Sequence, residues 1–186
     1  MKLNKDLIYL TIIVGLIALS AQFYFSFQVQ PALEAQQQRD VKVYYNRDVQ
    51  ANQVIIDQIQ QAEQYVYFAI YTFTRSDIKD ALLAAKYRGL DVKGVIDQDQ
   101  SQKIDEQRAI VKELQAFGIP ISFQDHSAIM HLKLVVTDKS YVSGSYNWTA
   151  SATDKNDEVI EVGNDESIRK QYLQVIKEIF TNYPPK

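Results

Sequence analysis

His131-Leu-Lys133-Leu-Val-Val-Thr-Asp138-Lys-Ser-Tyr-Val-Ser-Gly144-Ser145-Tyr-Asn147-Trp148 is the run from which the rest of the chain can be read. Its first half alternates polar and apolar residues. On a strand, positions 131, 133 and 135 share a face, so His131 and Lys133 point the same way, about 7 Å apart. Leu132, Leu134 and Val136 then face the opposite side. Asp138-Lys-Ser140 reads as a turn, and a second strand over 141–146 leads into Ser145 and Asn147, again on one face. An imidazole is a nucleophile or proton carrier near neutral pH. A lysine supplies positive charge for phosphoryl oxygens, and an amide and a hydroxyl give directed hydrogen bonds to the same oxygens. Gly144 allows close backbone approach.

Working outward, strands are expected at 41–45, 65–74, 91–97, 119–124 and 158–162, from their aromatic and β-branched content. Helices are expected between them. Ile55, Ile56, Ile59 and Ala62 mark one over 52–64, and Ile78, Ala81, Leu82 and Ala85 mark a second, capped by Ser76 and Asp77 and stopped by Gly89. A third covers 103–117, and a closing helix covers 168–180. The order βαβαβα, then strands, then a helix, predicts an α/β domain with a mixed β-sheet flanked by helices on both faces.

The first forty residues read differently. Lys2 and Lys5 precede an apolar run over 7–27, long enough to span a bilayer and closed by Phe23, Tyr24, Phe25 and Phe27. Residues 1–27 are expected to be a membrane anchor, with a signal peptide cut near Ala18-Leu-Ser20 as the alternative. Either way the basic end stays inside, which places the domain on the extracytoplasmic side. Residues 28–39, with Pro31 and three consecutive glutamines, read as a linker, leaving 40–186 as one domain.

Composition narrows the chemistry. The 186 residues include 20 Lys+Arg, 23 Asp+Glu, two His and no Cys, giving a formal charge of −3. Thiolate nucleophiles and cysteine-built zinc sites are excluded. A strongly basic coat is absent, so polyanion binding must be local.

The spacing His131-x-Lys133-x(4)-Asp138, followed by Gly144-Ser145-x-Asn147-Trp148, resembles the HKD signature of the phospholipase D superfamily. Tyr71-Thr-Phe-Thr74 and Gly89-Leu-Asp-Val-Lys-Gly-Val-Ile-Asp97 extend the likeness to its small, single-motif bacterial endonucleases, over most of 41–180. Five residues separate Asp138 from Gly144, where the family usually has six, which shortens the turn. The resemblance implies a phospholipase D-like fold and a metal-independent phosphodiesterase without cofactor. His131 would attack phosphorus, Lys133 and Asn147 would hold the phosphoryl oxygens with Ser145 assisting, and Glu158 would orient the histidine ring. Asp138 and Gly144 would be structural. Two histidines are needed and one HxK is present, so a homodimer would complete the site. The implied substrate is nucleic acid, with membrane phospholipid as the alternative. An inactive lipid- or nucleic-acid-binding module is the rival of another class.

Other features carry blander readings. His126 lacks a positioned lysine beside it, which makes it a poor second histidine. Asp97-x-Asp99 reads as ordinary loop aspartates, and Asp154-x-Asn156-x-Glu158 lacks the glycine a calcium loop needs. Arg75, Lys79, Lys86, Arg88 and Lys93 read as a solvated face, with phosphate contacts as the alternative.

Overall fold

Strand β2 (Tyr65–Ile70) is the interior strand at which the parallel and antiparallel parts of the sheet meet. On one side it pairs in parallel with β3 (Asp91–Asp97), which pairs in parallel with β4 (Ile121–Gln124). On its other side it pairs antiparallel with β5 (Lys133–Thr137), with Ile70 opposite Lys133. Antiparallel β6 (Tyr141–Gly144), β7 (Val159–Gly163) and β1 (Val41–Tyr45) follow, giving the order β1-β7-β6-β5-β2-β3-β4. The computed structural model describes residues 5–29, 40–125 and 128–185. His126 and most of the expected linker lie outside them.

The mixed sheet is covered on both faces, as the alternation of elements implies. Helices α2 (Ala51–Gln61), α3 (Ser76–Tyr87) and α5 (Asp105–Ala116) bury their apolar stripes with Phe68, Ile70, Val92, Ile96 and Val135. Helix α7 (Glu166–Asn182) covers the other face, where Ile176 joins Tyr67, Ala69, Val95, Leu134 and Val136. The period-two alternation of β5 therefore splits its side chains between two cores.

Several boundaries differ from expectation. β2 stops at Ile70 rather than 74, because Tyr71 turns its backbone N–H to the Leu132 carbonyl while the chain past it pairs with Trp148. β5 starts at Lys133 rather than 131, and β6 ends at Gly144 rather than 146. The expected helix over 103–117 is α5, which starts at Asp105, and a short helix that was not expected, α4 (Gln98–Lys103), precedes it; Ile104, with extended backbone, serves both ends. Asp97 caps α4 by accepting from the Gln100 N–H. The short helix α6 (Ala150–Asp154) has no apolar periodicity to announce it; Thr149 caps it.

The chain divides into two compact units, Met1–Arg39 and Asp40–Lys186. In the first, α1 (Lys5–Tyr24) runs into a π-helical turn at Phe25–Val29. The apolar stretch Tyr9–Val29 is 21 residues long, about 31 Å at about 1.5 Å per residue, against a hydrocarbon thickness of about 30 Å.

Candidate active site

The signature residues converge where β2, β3 and β6 end and β5 and β7 begin. Side chains at the carboxyl ends of parallel strands open into the crevice that ligands use in α/β sheets. His131 stands two residues before β5 with its side chain exposed. Among the described residues its ring makes no hydrogen bond; it packs at 4.8 Å, tilted 65°, against the ring of Tyr71.

Lys133 is the opposite case, only 9% exposed. Its Nζ donates to the His131 carbonyl at 3.0 Å and lies 5.2 Å from the centre of the Tyr71 ring. Burial pushes its ammonium pKa down, and the Glu158 carboxylate pulls it part of the way back. A cation so placed has shed much of its water and, among the described residues, has no carboxylate in direct contact, so it can meet an incoming anion.

Asn147 accepts from the Thr72 N–H at 3.3 Å through Oδ1. Its Nδ2 makes no bond among the described residues and remains a donor. The adjoining chain is held by the Thr72 carbonyl, which accepts from the Trp148 N–H at 3.0 Å, and by the Trp148 carbonyl, which accepts from the Thr74 and Arg75 N–H groups. Trp148 itself is core, packed edge-on to Phe73 at 4.8 Å and tilted on Phe68 at 5.5 Å.

Two residues expected at the phosphoryl group and the histidine ring meet other partners within one chain. The Ser145 hydroxyl donates to Glu158 Oε2 and accepts from the Val159 N–H at 3.1 Å, so it braces a carboxylate instead of facing an open oxyanion position. Glu158 takes a second bond on Oε1 from Asn156 Nδ2 at 3.0 Å. With these bonds in place, Glu158 meets Ser145 and Asn156 within one chain, and not the His131 ring.

Gly144 has φ +153°, and a Cβ there would stand 2.1 Å from the Val159 carbonyl oxygen. Only glycine lets β6 approach β7 this closely. Asp138 Oδ1 accepts from the Glu63 and Gln64 N–H groups at 3.0 and 3.1 Å, tying the β5–β6 turn to the start of β2. Burial alone would raise its pKa, but those amides outweigh burial and hold the carboxyl below its ordinary value. The shortened turn closes through a Thr137 N–H bond to the Ser140 carbonyl at 2.8 Å. The basic residues at 75–93 are largely spoken for. Arg75 pairs with Asp77, Lys79 with Glu113 and Lys93 with Asp91, and Arg88 donates to the Ile59 carbonyl.

Three supporting residues escaped the sequence reading. Asp97 Oδ2 accepts from the Met130 N–H at 2.9 Å, fixing the residue before His131. Gln107, fully buried, accepts from the Phe73 N–H and donates to the Tyr71 carbonyl and Ser101 Oγ. Asn46 accepts from the Glu158 N–H at 2.8 Å. Gln107 did leave a signal, since 107, 110, 111 and 114 form one helical stripe in which a glutamine stands among apolar residues.

A family model described as cardiolipin synthase, PLD-like domain, matches residues 55–180. A phospholipase D of Rickettsia typhi is 30% identical over 138 residues, 73% of this chain and 66% of that protein. A mitochondrial cardiolipin hydrolase of Xenopus tropicalis is 29% identical over 126 residues, 67% of this chain and 59% of that protein. The chain thus spans about three fifths to two thirds of these curated relatives. The crystal structure of Nuc from Salmonella typhimurium, a phospholipase D family member, superposes with a TM-score of 0.75 at 29% identity, covering 80% of this chain and 98% of Nuc. With the HKD residues gathered at one end of a matching sheet, the chain belongs to the phospholipase D-like family.

Proposed function

We propose that this chain hydrolyses phosphodiester bonds through a phosphohistidine on His131. The observation that carries the reading is the pairing of an exposed imidazole, free of hydrogen bonds among the described residues, with the buried cation of Lys133 two residues on. A His131 nitrogen attacks phosphorus and the bond to the leaving oxygen breaks. A second histidine gives that oxygen its proton. The same histidine then takes a proton from water, the water oxygen attacks phosphorus, and the phosphorus–nitrogen bond breaks to release a phosphomonoester. Lys133 and Asn147 Nδ2 hold the non-bridging oxygens as charge builds on them.

The second histidine is assigned to another copy of the chain, because one HxK is present. A two-fold dimer brings the two His131 residues to one phosphorus. Nucleic acid is the favoured substrate, on the likeness to the small single-motif endonucleases. The apolar segment Tyr9–Val29 favours a second reading, a lipid phosphodiester at the membrane that segment would enter. In both readings the domain sits on the extracytoplasmic side.

The test incubates the purified chain and its His131→Ala variant with plasmid DNA and with phosphatidylcholine and cardiolipin vesicles, in excess EDTA. DNA cleavage that depends on His131 supports the nuclease. Release of lipid headgroup alone moves the protein to the lipid reading. A folded dimer that turns over neither substrate sinks both and leaves a binding module.

A further inference from the structure

We infer that Tyr71 is a positioning residue, the bed on which His131 and Lys133 are both set, and that α4 and α5 lock it in place. This rests on the roles given to His131 and Lys133 in the proposed function. One ring serves both groups: the imidazole packs on it at 4.8 Å, and the Lys133 ammonium lies 5.2 Å from its centre. A histidine that makes no hydrogen bond within the described chain has only such a contact to set its plane. For the lysine, an aromatic face attracts an ammonium without neutralising it, whereas a carboxylate in direct contact would compete with phosphate for the same charge.

Tyr71 is itself held at three points, two on its backbone and one on its ring hydroxyl. The Tyr71 N–H donates to the Leu132 carbonyl at 3.0 Å, joining the bed to the residue between its two clients. The Tyr71 carbonyl accepts from Gln107 Nε2 at 3.3 Å, and the hydroxyl oxygen accepts from Gln100 Nε2 at 2.8 Å. Gln100 lies on α4 and Gln107 on α5. Gln107 is fully buried, and both ends of its amide are used on the 71–73 segment and on Ser101. A buried amide satisfied in this way specifies one geometry, since any shift leaves polar atoms unpaired. The two helices cover the sheet and also aim the tyrosine.

The experiment uses the full-length chain in detergent micelles with bis(p-nitrophenyl) phosphate, a diester that favours neither nucleic acid nor lipid. The pre-steady-state burst of nitrophenol counts functional sites by amplitude and reports phosphorylation by rate. Tyr71→Phe keeps the ring but loses its tie to Gln100, and is expected about tenfold below wild type, well above the ring-less variant. Tyr71→Leu is expected to keep its burst amplitude while the burst rate falls about 100-fold, the cost of misplacing reacting groups by about an ångström. A merely structural role would lower the amplitude, and Phe would do no better in rate than Leu. If Tyr71→Leu does not fold, Gln100→Leu unties the hydroxyl and leaves the ring, with an expected rate loss of about tenfold.

A wild-type burst rate in Tyr71→Leu, or in Gln100→Leu where that variant must stand in, overturns the inference. His131→Ala separates this failure from a deeper one. A silent His131→Ala beside a fully active Tyr71→Leu removes only the role of Tyr71. A fully active His131→Ala removes the phosphohistidine reading on which that role rests.

Discussion

The Ser145 hydroxyl donates to Glu158, and this bond pins the residue after β6 to the residue before β7. Glu158 is 7% exposed and depends on Ser145 and Asn156 to satisfy its charge. Ser145→Ala therefore strips a buried carboxylate of a partner and the Val159 N–H of its acceptor. The expected loss is about 1–3 kcal/mol. Urea denaturation of wild type, Ser145→Ala, Glu158→Gln and the double variant should give a coupling of about 1 kcal/mol. Strict additivity of the two single losses would show that the bond does not matter to stability.

Lys133 makes opposite demands on stability and turnover. Its pKa is lowered in the folded chain, so the unfolded chain holds the lysine proton to higher pH than the folded chain does. Its buried charge is a cost below the folded pKa, and stability rises as pH climbs through that value toward the ordinary lysine range. Turnover needs the cation and falls over the same window. Lys133→Met is expected to match or exceed wild-type stability near neutral pH, by up to about 1 kcal/mol, because it replaces a buried charge with an apolar chain of similar length. Its turnover should drop by about 100-fold or more. Thermal denaturation and steady-state rates between pH 6 and 10 check both halves.

Asp138 has the reverse sign. Its carboxyl is held below its ordinary value in the folded chain, so its stabilisation is full above that ordinary value and fades as pH falls through the lowered one. Asp138→Ala removes the acceptor for two backbone amides and is expected to cost about 2 kcal/mol at pH 7. The difference from wild type should shrink in denaturation curves taken near pH 3. A penalty that stays constant to pH 3 would assign the effect to packing.

Two glycines with positive φ should behave differently. Gly89 has φ +89° and open space around it, so Gly89→Ala meets only the backbone penalty, about 1 kcal/mol. Gly144→Ala drives a methyl into the Val159 carbonyl and parts β6 from β7. The expected loss is about 3 kcal/mol or more. Hydrogen exchange should show the β6–β7 amides losing protection in Gly144→Ala while those of β3 keep it.

The sequence was most legible where chemistry and period coincide. His131, Lys133, Gly144, Ser145 and Asn147 fall within 17 consecutive positions, and two strands with a tight turn bring them together. Partners far apart in the chain were not legible. Ser145 meets Glu158 across β6 and β7, and Asn46 meets Glu158 from the opposite end of the sequence. No local pattern distinguishes such a serine from one that would face a ligand. Helix α4 was not legible because Gln98–Lys103 holds no apolar residue to mark a buried face. The reach of β2 was overestimated because Tyr71 and Phe73 look like strand residues, although one supports the site and the other is core.

The edge strand β1 finds its partner in β7, with Val41 opposite Gly163. Most of the domain lies between these two segments. A growing chain can join β2 to β3 early, through neighbouring residues, but it carries β1 unpaired until the last strand exists. Glu158 and its brace on Ser145 come from that same late segment. Completion of the sheet edge and completion of the site are thus one event, governed by contacts remote in sequence, and such events are slow. Any truncation before Gly163 is expected to yield a chain that has both a sticky, open edge and an unfinished reaction centre.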